Sequence, residues 1–239
     1  MLRDDEITKV LTVMAHPDDI DFSAAGTIAT LVDRGVEVIY CLATDGDAGG
    51  FDRELDSGGM GALRRAEQTA AAKAVGVTDL RFLGYPDGTV EAGLGLRRDI
   101  ARVIRQVRPD LVITHSPERN YAVIAPSHPD HRAVGSAALD AVYPDARNPY
   151  AFPELLSEEG LTAWTVREVW LVGGPAPDHF VDITATIDRK LAALQAHASQ
   201  ISHLETFADF VRQRFAETAE RAGLGPDAYA EAFQRVSTD

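Results

Sequence analysis

The sequence predicts an α/β fold built on a mostly parallel, doubly wound sheet. Short apolar runs rich in β-branched residues alternate with segments whose apolar residues recur at helical spacing, and this alternation is typical of a parallel sheet covered by helices on both faces. The run VIYCLA is apolar throughout, as expected of a strand buried on both faces. A length of 239 residues fits one ordinary α/β domain, which we expect to span residues 1–239.

Strands and helices are expected to alternate strictly between residues 9 and 142. The predicted strands are Lys9–Met14, Val36–Ala43, Leu80–Leu83 and Leu111–Thr114. The predicted helices are Ala24–Arg34, Ala62–Val75, Leu96–Val107 and Pro129–Val142. The first three helices stop before Gly35, Gly76 and Pro109, residue types that commonly end helices. Right-handed crossovers then bring the loops after the strands to one edge of a Rossmann-like sheet.

The remaining segments have weaker patterns. Residues 45–59, rich in Gly and Asp, and residues 115–127 are expected to be loops. We interpret residues 143–239 as the C-terminal strands and helices of the same domain. Their predicted elements are the strands Glu168–Val172 and Phe180–Asp182 and the helices Ala185–Ala198 and Thr206–Ala222, the last of which is polar and expected to pack on the outside.

Composition narrows the classes of function. With 23 basic and 37 acidic residues, the net charge of −14 argues against nucleic acid or an anionic membrane surface as a partner, because phosphates select for Lys and Arg. Cys41 is the only cysteine, which excludes an internal disulfide and a cysteine-rich zinc site. The N-terminus is polar without a signal peptide, and no apolar stretch approaches the ~20 residues of a membrane span. We therefore expect a cytoplasmic protein that acts on a small molecule, and a homo-oligomer is compatible with the sequence.

Two clusters of histidine and aspartate follow predicted strands. The first is AHPDD at residues 15–19, where His16 and Asp19 flank a tight turn restricted by Pro17. The second is SHPDH at residues 127–131, at the start of a helix. Two imidazoles and a carboxylate suit Zn²⁺, and three protein ligands leave the open position of a catalytic site. Either motif alone is weak evidence, but together on neighbouring strand ends they predict a metal centre.

The two motifs together resemble those of the LmbE-like (PIG-L) family of zinc-dependent N-deacetylases. The resemblance covers roughly residues 9–200 and includes TDGDAGG, RRAEQTAAAKAVG, FLGYPDG and HPDHRAVG. It implies an enzyme that removes an N-acetyl group from an N-acetylglucosamine-type conjugate. The sequence departs from the family pattern at Asp47, where Glu is common, and in a longer 116–127 segment, and both departures concern the rim of the expected pocket.

The resemblance also implies roles for individual residues. The implied zinc ligands are His16, Asp19 and His131, although Fe²⁺ or Co²⁺ would fit the same donors. Asp18 matches the general base of the family. His128 matches the histidine that stabilises the oxyanion or protonates the leaving amine, and Asp130 matches the residue that orients His128.

Other polar residues are candidates for substrate contacts or for ordinary structural roles. Arg64 or Arg65 and Asp87 lie where the family contacts substrate, and one of the two arginines is expected to face solvent. Asn120 and Tyr121, beside Arg119 on the long loop, are candidates for binding sugar hydroxyls, with ordinary loop polarity as the alternative. Four further histidines have open or structural interpretations. His115 either supports a ligand or simply ends its strand, and His179 either reaches the site from the late segment or lies apart from it. His197 and His203 are expected to be solvated.

Several other functions compete with this prediction. A nucleotide-binding module would need GxGxxG or GxxxxGK[ST], and a serine hydrolase would need GxSxG. None of these three patterns is present. A phosphoesterase usually carries two metals bridged by carboxylates, whereas the motifs supply ligands for one. A metal-storing or sensor protein would not need Asp18 or His128 beside the ligands. The main alternative is a zinc amidase acting on a non-sugar amide, such as an acylated amino acid or an antibiotic precursor.

Overall fold

A seven-stranded, mostly parallel sheet runs through the part of the protein that the structure describes. The structure is a computed structural model, and it describes residues 1–50, 55–201 and 206–238. The strands are β1 Lys9–Met14, β2 Glu37–Thr44, β3 Asp79–Tyr85, β4 Leu111–His115, β5 Glu168–Val172, β6 His179–Asp182 and β7 Ala230–Ser237. Their order is β3-β2-β1-β4-β5-β7-β6; β7 pairs antiparallel with both of its neighbours, and the other pairs are parallel.

Helices cover both faces of this sheet. They are α1 Asp19–Asp33, α2 Ser57–Val75, α3 Leu94–Val107, α4 Pro129–Asp140, α5 Glu154–Ser157, α6 Ile187–Gln195, α7 Ala198–Ile201 and α8 Phe207–Arg221. Side chains of β1 pack on both faces of the sheet. Val10 and Met14 belong to the core under α1 and α2, whereas Leu11 and Val13 belong to the core under α3 and α4. Short 3₁₀ turns at Asp4–Glu6 and Ala125–Ser127 and a π-helical segment at Ala141–Ala146 complete the elements.

The strand order creates a switch point at the carboxyl end of β1. From β1 the chain moves to β2 on one side, and β4 then pairs with the other side of β1. In doubly wound sheets the crevice at such a point is the usual binding site. The segments after β1 and β4, which carry the AHPDD and SHPDH motifs, meet there.

Most predicted elements are present, with differences at their ends. Helix α1 starts at Asp19 and not at Ala24, because the His-Pro-Asp-Asp turn leads directly into it. Helix α2 starts inside the predicted 45–59 loop, since the Asp56 carboxylate caps it by accepting from the Gly59 N–H at 2.7 Å. The predicted Ala185–Ala198 helix is divided into α6 and α7 by a break around His197. Strand β7 was not predicted, and His203 lies outside the described residues.

Two further expectations concern the surface. Helix α8 packs on the outside as expected, exposing Phe210 while burying Phe207, Val211 and Phe215. Among the described residues, none of the helices has the length and apolar character needed to cross a membrane.

Candidate metal centre

Two strand ends and two helix starts bring the predicted ligands together. His16 follows β1, Asp19 is the first residue of α1, and His131 lies in the first turn of α4. Helix α4 approaches the end of β4 so closely that a Cβ on Gly135 would lie 2.3 Å from the His115 carbonyl oxygen. Glycine at position 135 therefore allows α4 to bring His131 to the site.

The donor atoms of His16, Asp19 and His131 form a small triangle. His16 Nδ1 lies 3.2 Å from His131 Nε2 and 3.3 Å from an oxygen of Asp19, and His131 Nε2 lies 3.0 Å from the other oxygen. Tetrahedral zinc with bonds of about 2.0–2.1 Å needs ligand atoms about 3.3 Å apart. Two imidazoles and a carboxylate at these distances fit one divalent ion.

The second nitrogen of each imidazole is already used. His131 Nδ1 lies 3.1 Å from the Pro126 carbonyl oxygen, to which it can only donate. His16 Nε2 lies 3.0 Å from a carboxylate oxygen of Asp87 and 3.2 Å from one of Asp130. If these nitrogens carry the protons, the lone pairs of His16 Nδ1 and His131 Nε2 point towards each other. Such partners behind a metal-binding histidine fix its tautomer and increase its basicity.

The charges around the triangle favour a cation. Burial acts to lower the pKa of His16, but the carboxylates of Asp19 and Asp87 outweigh it and raise the pKa to about 11. Burial acts to raise the pKa of Asp19, and His131, His115 and His16 instead hold it well below its usual value. The site thus stabilises positive charge at the imidazoles and an ionised Asp19, the protonation pattern that a metal ion can replace.

His115 lies directly beside this triangle. It is buried at the end of β4, and its Nε2 lies 3.2 Å from an Asp19 oxygen and 3.2 Å from the Ala15 backbone nitrogen. Burial outweighs the attraction of the Asp19 carboxylate and lowers the pKa of His115 to about 4. Overlapping groups of possible metal donors are Asp19–His115–His131 and His16–His128–His131. His115 therefore acts through Asp19 in one of two ways. It holds the Asp19 carboxylate in place, or it binds a metal ion together with Asp19.

Asp18 points away from its neighbour Asp19. It has φ +92° and ψ −30°, and its carboxylate accepts from Arg64 Nη2 at 2.9 Å. Burial and the charge of Asp19 raise the pKa of Asp18 to about 6, even though Arg64 acts to lower it. A carboxylate of this kind is ionised at neutral pH and still basic enough to accept a proton.

Asp130 occupies a different place from the one the family resemblance implied. Its fully buried carboxylate accepts from the backbone N–H groups of Gly88 at 2.7 Å and Val90 at 3.2 Å, and its Oδ2 lies beside His16. The prediction that this carboxylate orients His128 is therefore wrong, because its oxygens face His16 and two backbone donors instead.

His128 is exposed and caps α4. Its Nδ1 accepts from the Asp130 backbone N–H at 3.2 Å, and its ring centroid lies 5.0 Å from that of His16 and 5.2 Å from that of His131. Partial burial and the two neighbouring histidines lower its pKa, although Asp130 acts to raise it. Since Nδ1 is an acceptor, a neutral His128 carries its proton on Nε2.

The two predicted arginines have different surroundings. Arg64 is only 4% exposed and donates to two backbone carbonyls and to the Asp18 carboxylate. Arg65 faces the surface, where it pairs with Asp45 at 3.2 Å and lies over the ring of Phe82. One of the two arginines faces solvent, as predicted, and the buried one contacts Asp18.

The other proposed substrate residues lie around the rim. Asp87 is bonded to His16 and accepts from the Ala48 N–H at 3.1 Å. The Asn120 side chain accepts from two backbone N–H groups of its own loop, at 3.0 and 3.3 Å. Tyr121 is 88% exposed on the same loop. Asn120 thus shapes the loop, and Tyr121 is the member of this pair that projects into solvent.

Two of the remaining histidines have structural partners and do not belong to the triangle of metal donors. His179 packs its ring 4.6 Å from that of Trp170, near Phe233, on strands away from the switch point. His197 is fully buried and its Nε2 lies 2.8 Å from an Asp21 oxygen, so the prediction that it is solvated is wrong. No sequence motif pointed to this His197–Asp21 pair.

Comparisons with known proteins agree with this fold. A family model described as PIG-L, GlcNAc-PI de-N-acetylase, matches residues 11–142. The chain is 32% identical over 195 residues to the diacetylchitobiose deacetylase of Thermococcus kodakarensis, covering 82% of this chain and 71% of that protein. It is 36% identical over 196 residues to a probable N-acetyl-alpha-D-glucosaminyl L-malate deacetylase 2 of Bacillus cereus, covering 80% and 83%.

A solved structure shares the whole fold. The N,N'-diacetylchitobiose deacetylase from Pyrococcus horikoshii, in complex with its inhibitor MPG, superimposes with a TM-score of 0.88 and 32% identity over 98% of this chain and 85% of that one. The predicted α/β fold and the predicted class of enzyme, a hydrolase of the deacetylase type, are confirmed. The chain belongs to the PIG-L (LmbE-like) deacetylase family.

Proposed function

We propose that this protein is a zinc-dependent N-deacetylase that removes the acetyl group from an N-acetylglucosamine conjugate. The observation that carries the proposal is the triangle of His16, Asp19 and His131, in which both imidazoles have their second nitrogens occupied by acceptors. The names of the relatives support the amino-sugar substrate.

The three residues of the triangle would hold Zn²⁺. When bound, the ion would supply a Lewis acid that polarises the acetyl carbonyl and acidifies a water molecule. Asp87 and Asp130 keep His16 in the tautomer that presents Nδ1 to the ion, and the Pro126 carbonyl does the same for Nε2 of His131. Fe²⁺ and Co²⁺ fit the same donors, and metal analysis distinguishes them.

Asp18 and His128 supply the proton transfers in this proposal. Asp18, with its pKa raised to about 6, takes the proton from water as it attacks the carbonyl carbon. His128 can donate a hydrogen bond from Nε2 to the oxygen that becomes negative in the tetrahedral intermediate. The proton taken by Asp18 is then available to the amine nitrogen as the C–N bond breaks, which leaves acetate and the free amino sugar.

The remaining polar residues are assigned by their contacts. Arg64 holds Asp18 rather than the substrate, because its Nη1 and Nη2 groups donate to the Asp18 carboxylate and to backbone carbonyls. Asp87 retains free lone pairs, since a carboxylate accepts up to about four hydrogen bonds, and can also accept from a sugar hydroxyl. Tyr121 contacts the group beyond the sugar, and Arg65 lies at the rim.

The experiment combines metal analysis with a substrate panel. Purified wild-type protein and the Asp18→Asn variant should each carry about one divalent ion per chain, and His131→Ala should lose it, because His131 is one of the three proposed ligands and Asp18 is not. A fluorescent assay for released amine should detect turnover of N,N'-diacetylchitobiose or N-acetylglucosaminyl malate by the wild type, and Asp18→Asn should be slower by about 10²–10⁴-fold.

Two results would contradict the proposal in different ways. Full metal content in His131→Ala would refute the ligand assignment. Rapid cleavage of acylated amino acids, with every N-acetylglucosaminide left intact, would refute the sugar substrate and favour a non-sugar amidase.

A further inference from the structure

Asp18 holds a backbone conformation that residues with a side chain rarely adopt. Its φ of +92° lies in the region that favours glycine, and such a conformation persists only where the surroundings hold it. The turn at Asp18 directs the carboxylates of Asp18 and Asp19 to different partners. Asp19 faces His115 and His131, whereas Asp18 faces Arg64.

Helix α2 holds the peptide group between Pro17 and Asp18 at both of its polar atoms. Arg64 Nη2 donates to the Pro17 carbonyl at 2.6 Å, and Gln68 Oε1 accepts from the Asp18 N–H at 2.7 Å. Residues 64 and 68 are four apart in α2, so their side chains leave the same face of the helix. These two contacts fix the plane of the peptide from which Asp18 turns.

The orientation of the Gln68 amide is itself determined by its second partner. Gln68 Nε2 donates to Asp21 Oδ2 at 2.8 Å, and His197 Nε2 lies 2.8 Å from the same oxygen. A carboxylate can only accept, so the NH₂ end of Gln68 must face Asp21 and the oxygen must face Asp18. Gln68, Asp21 and His197 are all 0% exposed, which means that solvent cannot replace either partner.

We propose that Gln68 is a positioning residue for Asp18, with the buried Asp21–His197 pair holding the Gln68 amide in the orientation that this requires. The inference rests on the role of Asp18 as the base in the proposed function. Gln68 acts through the Asp18 peptide and not through the metal donors, whose contacts among His16, Asp19 and His131 do not involve it. Loss of its hydrogen bond lets the turn relax and moves the Asp18 carboxylate while the metal site stays in place.

The test uses Gln68→Met in the full-length, metal-loaded protein. Methionine keeps most of the side-chain length and removes both hydrogen bonds. Because a misplacement of about 1 Å can cost up to about 10²-fold in rate, kcat should fall about 10- to 100-fold, with KM and metal content unchanged. In Asp18→Asn/Gln68→Met the second change should add nothing to the loss caused by Asp18→Asn alone, since residues that act as one unit are not additive.

A matched control is Thr186→Val. Thr186 is 4% exposed and its hydroxyl donates to the Gly26 carbonyl at 2.9 Å, between α1 and α6. This variant also loses a buried hydrogen bond and should lower the melting temperature, but it should keep the wild-type kcat. If Gln68→Met does not fold, Gln68→Asn replaces it, because its shorter amide stays polar but cannot bridge Asp18 and Asp21.

The outcomes separate the two proposals. A slow Asp18→Asn variant together with wild-type kcat in the folded Gln68 variant overturns the positioning role and leaves the base role intact. Additive losses in the double variant also overturn it, because Gln68 would then act independently of Asp18. Wild-type kcat in Asp18→Asn overturns the base role and the positioning role with it.

Discussion

Asp18 and Asp19 are neighbours in the chain with opposite electrostatic surroundings. Three histidines hold the pKa of Asp19 well below its usual value against the effect of burial, whereas burial and Asp19 itself raise the pKa of Asp18 to about 6. Two carboxylates whose pKa values are pushed apart in this way take different roles in an active site. The lower pKa suits a permanent ligand, and the higher one suits a group that gains and loses a proton.

His128 is expected to contribute to the rate through Nε2 and to stability through Nδ1. His128→Ala removes both functions, so kcat should fall by about 10²-fold or more, and loss of the helix cap should cost about 1 kcal/mol of folding free energy. Metal content should stay at the wild-type level. Steady-state kinetics, metal analysis and thermal unfolding measure the three quantities.

His128→Asn separates the two functions of this residue. Asparagine is a good helix cap, so it should restore stability while kcat remains as low as in the alanine variant. Recovery of kcat in His128→Asn would show that only the cap matters. Loss of metal in His128→Ala, with metal retained in His131→Ala, would show that the two histidines have exchanged roles.

Part of the site could be predicted because several of its functional residues are close together in the sequence. His16, Asp18 and Asp19 lie within four positions, and the turn after a strand brings them to the sheet edge. Gln68 and His197 could not be predicted in this way, because a lone amide or imidazole on a helix has many structural uses and gains its meaning only from its partner. The contacts of the Asp130 carboxylate were predicted wrongly for a similar reason. The orientation of a carboxylate depends on the backbone N–H groups around it, and these are not visible in the sequence.

The long loop between β4 and α4 is closed on itself. Ser127 Oγ accepts from the Asn120 N–H at 2.7 Å, and the Asn120 side chain caps the next turn. The loop therefore holds its shape while exposing Tyr121 by 88%, Val123 by 53% and Ile124 by 60% beside the segment that carries His128. Exposed apolar side chains next to a site are candidates for contact with a ligand.

Tyr121→Ala should change the preference among conjugates. We expect kcat/KM for substrates with an aromatic or apolar group beyond the sugar to fall about tenfold, since burial of a large side chain contributes about 1.5–3 kcal/mol. Turnover of a substrate that lacks such a group should stay within about twofold of the wild type. Competition between two conjugates in one reaction measures the ratio directly.

Tyr150→Ala provides the control for this loop. Tyr150 is also 88% exposed but follows the far end of α4, so its removal should leave the preference unchanged. An equal fall for all substrates in Tyr121→Ala would mean that the loop supports the site as a whole and does not select the group beyond the sugar.

Strands β1, β2 and β4 were predictable for a reason that does not apply to β7. Strands β1, β2 and β4 are buried on both faces and read as apolar runs, which is typical of a parallel sheet. Strand β7, AEAFQRVS, carries Glu231 and Arg235, which look like surface residues in the sequence. In the structure Glu231 is buried, where it pairs with Lys190 at 2.7 Å and accepts from the backbone N–H groups of Gly26 and Thr27. These distant partners explain its place in a strand.

Glu168 connects three distant parts of the chain at the amino ends of the parallel strands, opposite the metal donors. It is fully buried at the start of β5 and accepts from the Leu2 N–H at 2.5 Å and from Trp170 Nε1 at 2.7 Å. Arg235 of β7 donates to both of its carboxylate oxygens. A single carboxylate thus connects the N-terminal segment, the centre of the sheet and the C-terminal strand.

Glu168→Gln should destabilise the fold by about 3 kcal/mol at pH 7, because it leaves Arg235 without its buried counter-charge, while the activity of the folded protein stays unchanged. Burial acts to raise the pKa of Glu168, but Arg235, Leu2 and Trp170 together lower it below 4.5. A lowered folded-state pKa stabilises the protein above the unfolded-state pKa, and this contribution is lost as the pH falls through the folded-state value. The difference in unfolding free energy from wild type, measured by denaturant titration, should therefore be constant above about pH 5.5 and shrink in more acidic buffer.

Glu37→Gln is the control, because it removes a surface pair with Lys9 and should cost at most about 1 kcal/mol. An equally small effect of Glu168→Gln would show that the buried carboxylate does not hold these segments together.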